Sequence, residues 1–293
     1  MNGFSVIGAP LEAGAPTRGM EDAYEYLTGI GMKDVFPSGT EFTSLDRPFP
    51  CPEGDSKMKY RDEVVPFCEE LAARVGKAVS SGRIAFTVGG DHAVAMGSAA
   101  GAARVCGHEN VSVIYIDGHT DINTENSTVT GYIHGMPLAS LMGLCGEKLT
   151  LSGAPFLLGK NTFIIGARSI DEGERPILKS QGVRVYAPED IIAVGTERVA
   201  RDVISSVKTK YVHISFDVDF LDGGVFPATG YRMPGGMGIE DAKTLLAAFS
   251  SELNVVSADF AEYNPHLDRD GKCGKESLEI IKTFVEGSTK NIS

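Results

Sequence analysis

Short apolar runs recur along the chain, separated by longer segments in which apolar residues return every three or four positions. The runs predict strands over Phe4–Gly8, Ile84–Val88, Val111–Ile116, Thr162–Ile165, Val183–Tyr186, Tyr211–Phe216 and Val255–Phe260. The helical-period segments predict helices over Lys59–Val79, Ala93–Val105, Glu172–Ser180, Thr196–Ser206, Ile239–Phe249 and Lys275–Val285. Strands that are apolar throughout, alternating with helices, indicate a parallel sheet covered on both faces. No linker, internal repeat or low-complexity tract divides the chain, so residues 1–293 read as one three-layer α/β domain. The connections 117–137 and 220–238 are longer than turns need, and loops of that length in a compact domain are usually functional. In open parallel sheets such loops leave the carboxyl ends of strands, where ligands bind.

Those loops begin with carboxylates. Asp117-Gly118-His119-Thr120-Asp121 follows one predicted strand, Asp217-Val218-Asp219 another, and Gly89-Gly90-Asp91-His92 a third. Alternate residues of a strand face the same way, roughly 6–7 Å apart, so Asp117 and His119 can share a site, as can Asp217 and Asp219. Straight extension would carry Asp121 roughly 13 Å from Asp117, so its participation requires a bend after His119. Carboxylates gathered in one buried place repel one another unless positive charge lies between them, and a pair of divalent ions is the simplest remedy. Mixed imidazole and carboxylate donors suit a borderline-hard ion such as Mn(II), and the lack of cysteine in these motifs argues against a structural zinc site. Two metals about 3.5–4 Å apart can share bridging carboxylates and hold a hydroxide between them.

Composition narrows the setting. The formal charge is −12, from 39 acidic and 27 basic residues, which disfavours nucleic acid and anionic membranes as partners. Two divalent ions would add +4 and bring −12 to −8. No apolar stretch reaches the length of a membrane span, and the start of the chain lacks the basic flank and apolar core of a signal peptide. Five scattered cysteines, Cys51, Cys68, Cys106, Cys145 and Cys273, suit reduced thiols in the cytoplasm better than a disulfide framework. His213, inside a strand, reads as a satisfied core residue, and His108 and His266 as turn residues in solvent. The Gly89-Gly90 pair lacks the rest of a phosphate-binding loop.

The three acidic motifs resemble the signatures of the ureohydrolases, the arginase and agmatinase superfamily. Ile7-Gly8-Ala9-Pro10, Pro227-Ala228-Thr229-Gly230 and Glu262-Tyr263-Asn264-Pro265 look arginase-like as well, in the right order, and the likeness spans roughly residues 3–286. The resemblance implies an arginase-like fold with about eight strands and two Mn(II) ions. His92 and Asp121 would hold one ion, His119 and Asp219 the other, with Asp117 and Asp217 bridging. A metal-bridging hydroxide would attack the guanidinium carbon. His134 would shuttle protons toward the leaving amine, Asp121 would carry a proton to it, Glu262 would orient the guanidinium and Thr229 would support it. Asn123, Thr128 and Thr130 match residues that contact an α-carboxylate, Asp171 one that holds an α-amino group, and Glu174 a weaker analogue behind it. The loop Ile122–Ile133 looks like arginase, whereas agmatinases carry a shorter one of different character. The resemblance therefore implies hydrolysis of L-arginine to L-ornithine and urea by a homotrimer, in arginine metabolism. The alternatives are an agmatinase or guanidinobutyrase, or a weakly catalytic guanidino-binding relative. Several positions depart from the family pattern. Gly118 stands for the usual Ala and should loosen the backbone, Gly223-Gly224 for Pro and should leave their loop floppier, Ser169 for Asp and Met136 for Gln.

Overall fold

Eight strands form one sheet in the computed structural model, which describes residues 3–290. They are β1 Phe4–Gly8, β2 Glu41–Ser44, β3 Ile84–Val88, β4 Val111–Ile116, β5 Thr162–Ile165, β6 Arg184–Tyr186, β7 Tyr211–Asp217 and β8 Val255–Ala261. Their spatial order is β2-β1-β3-β8-β7-β4-β5-β6, and every neighbouring pair is parallel. All seven predicted strands are present. The eighth, β2, lies at the edge and buries none of its residues fully, so it leaves no apolar run to read.

Alternate side chains of β4 show why the strands are apolar throughout. Val113 and Tyr115 join one core, with Leu71, Val75 and Ile164. Ile114 and Ile116 join the other, with Phe216, Phe260 and Phe284. Helices Arg61–Ser80 and Val94–Cys106 cover the first face, and Thr196–Ser206, Ile239–Glu252 and Lys272–Thr289 the second. The first two helices pack closely because Gly97 and Gly101 face Cys68 and Ala72. A Cβ on either glycine would lie 2.6 Å from a carbonyl oxygen opposite.

The predicted helix over Lys59–Val79 begins later, at Arg61. Met58–Lys59 instead pairs with Gly54–Asp55 in a small antiparallel hairpin, and Tyr60, with φ 56°, separates hairpin from helix. The short helices Ala23–Gly29, Met32–Val35, Pro137–Leu141 and Pro188–Val194 were too brief to carry a readable period. Among the described residues no helix is long and apolar enough to cross a membrane, and all five cysteines are free.

The chain steps from β3 to β4 across two intervening strands, which makes a topological switch point at the carboxyl edge. The four strands around that point are β3, β8, β7 and β4. They end at His92, Glu262, Asp217 and Asp117 or within a few residues of them, so sheet order alone gathers the motifs.

Candidate metal centre

Asp117 follows the last residue of β4, and Asp217 ends β7. The side chains meet, but not through strand alternation. Residues 117–119 form a bend, and Val218–Phe220 is a single 3₁₀ turn in which Asp219 N donates to Asp217 Oδ1 at 2.7 Å. His119 N likewise donates to Asp117 Oδ1 at 2.6 Å. Each carboxylate thus caps the turn that brings the next ligand round. The required bend at Asp121 is a left-handed residue, φ 45°, and it returns Asp121 Oδ2 to 3.1 Å from His92 Nδ1.

Three carboxylate oxygens surround that one nitrogen: Asp117 at 2.9 Å, Asp121 at 3.1 Å and Asp217 at 3.1 Å. An imidazole nitrogen carries at most one proton, so it cannot satisfy all three. Asp117 Oδ2 is buried without a hydrogen bond of sound geometry. His119 Nδ1 lies 2.8 Å from Asp219 Oδ2 and 3.7 Å from Asp117 Oδ1. Two clusters, His92–Asp117–Asp217 and Asp117–His119–Asp219, each bring their donor atoms within 4.8 Å and share Asp117. Imidazole nitrogen with carboxylate oxygen in this number fits two adjacent divalent cations.

The titration behaviour has the same cause. Burial, then repulsion from Asp219 and Asp117, pushes Asp217 well above the usual carboxylate range. Burial and Asp117 raise Asp121, and burial raises Asp219 to about 6 despite His119. Asp117 alone is held low, because hydrogen bonds with His119 and His92 outweigh its burial. Four acids cannot all ionise here without added positive charge.

The ring of His92 is braced from behind. It stacks on Tyr115 with centroids 4.6 Å apart, and the Tyr115 hydroxyl donates to Asp121 Oδ2 at 2.8 Å. His92 Nε2 meets Ser215 Oγ at 2.9 Å, and Ser215 Oγ donates to Asp259 Oδ1. Asp259 Oδ2 in turn meets His213 Nε2 at 3.0 Å, so His213 is the satisfied core residue its place in a strand suggested. His266 is exposed, as expected, and pairs with Asp22 at 2.6 Å.

A cavity of about 130 Å³ opens over this centre. Its lining includes His119, Asp121, Asp217 and Asp219, together with His134, Asn123, Thr128, Thr130, Asp171 and Glu174. His92, Asp117, Glu262 and Thr229 lie deeper and do not reach the lining. Glu262, left-handed at φ 65°, accepts from His92 N at 2.9 Å and contacts His134 Nδ1 at 3.1 Å. With Glu262 buried and His134 partly so, the pair still favours its charged form: Glu262 is lowered by His134, and His134 is raised by Glu262. Asp91 fixes His134 indirectly. Its Oδ2 accepts from Gly14 N at 2.7 Å, and Gly14 O accepts from His134 N at 3.0 Å.

At the rim, Asn123 Nδ2 donates to Asp171 Oδ2 at 2.9 Å, and Thr128 Oγ1 accepts from Gly131 N. Glu174 accepts from Ile122 N and Asp171 N, which ties the two rim segments together; burial raises its pKa to about 7. Thr229 pairs with Tyr263, next to Glu262, and its hydroxyl is buried without a partner. The loop after Asp219 is well tied despite Gly223-Gly224. Asp222 accepts from the backbone of Gly224, Gly235 and Gly236. Arg168 bonds the carbonyls of Asp219, Leu221, Met233 and Pro234. Sequence reasoning passed over Tyr115, Arg168 and Tyr231; only Tyr231, directly after the Thr229-Gly230 motif, carried a positional hint.

The arginase family model matches residues 2–285. An arginase of Brevibacillus brevis is 34% identical over 292 residues, covering 96% of each chain. The crystal structure of Bacillus subtilis arginase superposes with a TM-score of 0.89 at 32% identity, covering 97% of this chain and 98% of that one. Entamoeba histolytica arginase in complex with L-ornithine superposes with a TM-score of 0.89 at 26% identity, covering 97% and 98%. The chain belongs to the arginase family and is an amidinohydrolase of the arginase type.

Proposed function

We propose that the chain hydrolyses L-arginine to L-ornithine and urea with two Mn(II) ions bound. The observation that carries this reading is the second polar pole of the cavity. Asn123, Thr128, Thr130 and Asp171 line the same space as Asp121 and Asp219. A substrate with a guanidinium at one end and an ammonium and carboxylate at the other meets both poles; agmatine, which lacks the carboxylate, leaves the amide and hydroxyl donors idle. The complex of the Entamoeba relative with L-ornithine agrees with this choice.

His92 and Asp121 would hold one ion and His119 and Asp219 the other, with Asp117 and Asp217 shared. When bound, such a pair supplies Lewis acidity and makes a nucleophile of water near neutral pH. The protein's own groups do the rest. Glu262 stays ionised and orients the guanidinium, with Thr229 behind it. His134, raised by Glu262, holds a proton for the leaving amine, and Asp121 would carry another to that same amine. Asn123, Thr128 and Thr130 take the α-carboxylate, and Asp171, supported by Glu174, takes the α-ammonium. The working form in this reading is a cytoplasmic homotrimer, which sedimentation equilibrium and cell fractionation would check.

Urea release from arginine, agmatine and guanidinobutyrate, with added Mn(II) and with chelator, tests the assignment. Arginine should be strongly preferred and chelator should abolish release. Turnover of agmatine but not arginine would replace the substrate, and metal binding with no urea from any compound would leave only a binding protein.

A further inference from the structure

Tyr231 lines the cavity but belongs to none of the motifs. Its ring centroid lies 5.5 Å from that of His119, with the planes 83° apart, and 5.4 Å from that of His134, with the planes 40° apart. One side chain therefore touches both a candidate metal-ligand histidine and the candidate proton carrier. It is half-buried, and its hydroxyl makes no hydrogen bond to any described residue. The loop that presents it is held on both sides, by Arg168 on the carbonyls of Leu221 and Met233 and by Asp222 on the amides of Gly235 and Gly236. The ring is thus fixed in place with its donor unspent.

The rest of the cavity explains what such a ring is for. Asp121, Asp171, Glu174 and Asp219 attract a cation but do not select its shape. A guanidinium ion is flat; its N–H groups point outward in its plane, and its faces are weakly hydrated. Carboxylates serve the edge, and an aromatic ring is the side chain best suited to the face.

We propose that Tyr231 is a substrate-positioning residue whose ring covers the guanidino portion of the substrate between His119 and His134. This rests on reading the site as one for a guanidino compound. Tyr231→Phe and Tyr231→Leu, compared in the metal-loaded enzyme, separate the ring from the hydroxyl and from plain bulk. The readouts are KM and kcat for the best substrate of the wild type, metal content, and inhibition by a simple alkylguanidine. Phe should keep KM within about threefold. Leu should raise KM and the alkylguanidine inhibition constant about tenfold, with kcat less affected and both metals retained. Wild-type KM in Tyr231→Leu would overturn the proposal, as would a loss of metal that accounts for its defect. Should the wild type release urea from no guanidino compound, the functional reading fails by itself. Calorimetric binding of the alkylguanidine to wild type and Tyr231→Leu then still decides the role of the ring: a tenfold loss upholds it, equal affinity refutes it.

Discussion

Gly131 backs directly onto the carbonyl of Ser56: a Cβ at Gly131 would stand 1.9 Å from that oxygen, and the residue has φ +77°. The contact is part of a clamp between the small hairpin and the rim of the cavity. Lys59 N donates to Gly131 O at 2.9 Å, Lys57 Nζ donates to Thr128 O at 2.9 Å, and the Lys59 ammonium sits 4.4 Å from the centre of the Tyr132 ring. The hairpin, remote in sequence from every motif, therefore sets where Thr128 and Thr130 stand.

Gly131→Ala should break this clamp. The left-handed backbone alone costs a non-glycine residue roughly 1–2 kcal/mol, and the clash with Ser56 forces the rim outward. KM for arginine, the proposed substrate, is expected to rise about tenfold or more, with kcat changed less and metal content unchanged, since none of the proposed metal ligands moves. Steady-state kinetics with metal analysis checks this; an unchanged KM would mean the rim does not need the clamp.

Gly118 has a different task from the one its type suggests. It does not merely loosen the backbone between Asp117 and His119. It leaves room for Arg168, whose Nη1 would lie 2.5 Å from a Cβ there, and for Asp219, whose Oδ1 would lie 2.8 Å away. Gly118 N also donates to Asp219 Oδ1 at 2.9 Å. Gly118→Ala should push Arg168 and Asp219 aside and weaken the His119–Asp219 metal site about tenfold, within the range typical for loss of a ligand's supporting partner. Competition with a metal-sensitive dye would measure it, and equal affinity for both ions in variant and wild type would refute it.

The legibility of this chain followed what burial demands. Strands covered on both faces must be apolar, so β3, β4 and β7 were readable, whereas β2, at the edge, was not. Asp117, His119, Asp217 and Asp219 stood out because charged groups at the ends of buried strands need a reason. Strand alternation supplied the right neighbours by the wrong local geometry; a bend and a 3₁₀ turn do the work, and turns of that kind follow from capping bonds that no spacing rule contains. Asp121 was legible only as a requirement for a bend. Arg168 was not legible, and Tyr231 only by its place beside a motif, because an aromatic or an arginine in a loop gives no sign of which distant segment it will touch.

Asp219 has no stand-in. The next carboxylate along the chain, Asp222, is fully committed to the amides of Gly224, Gly235 and Gly236, which hold its pKa below the usual range. In the proposed two-ion centre, Asp219→Ala should therefore lose one ion. Loss of an outer supporting group alone costs about 10–100-fold, so removal of a direct ligand should cost at least that in activity. Two ions per chain in the purified variant, measured by elemental analysis, would refute the assignment of Asp219 as a ligand.

The His134–Glu262 pair predicts a pH window. His134 is raised above its ordinary value: burial alone would lower it, and the Glu262 carboxylate at 3.1 Å more than reverses that. Its contribution to stability is therefore complete below the unfolded histidine value of about 6.5 and is lost as pH rises through the higher folded value. Glu262 is lowered, so its contribution is present above an unfolded value of about 4.3 and is lost as pH falls through the lower folded one. Between those limits both charges stand, and His134 keeps its proton to higher pH than an imidazole without that partner would. Glu262→Gln removes the stabilising charge and leaves burial unopposed by its largest counterweight. The imidazole resonance of His134, followed by NMR in the metal-loaded protein, should titrate at lower pH in the variant than in wild type, by about one unit or more if the pair is worth about 1.4 kcal/mol. The basic limb of residual activity should move in the same direction. A His134 titration that stays where it was would show that Glu262 is not what holds the proton there.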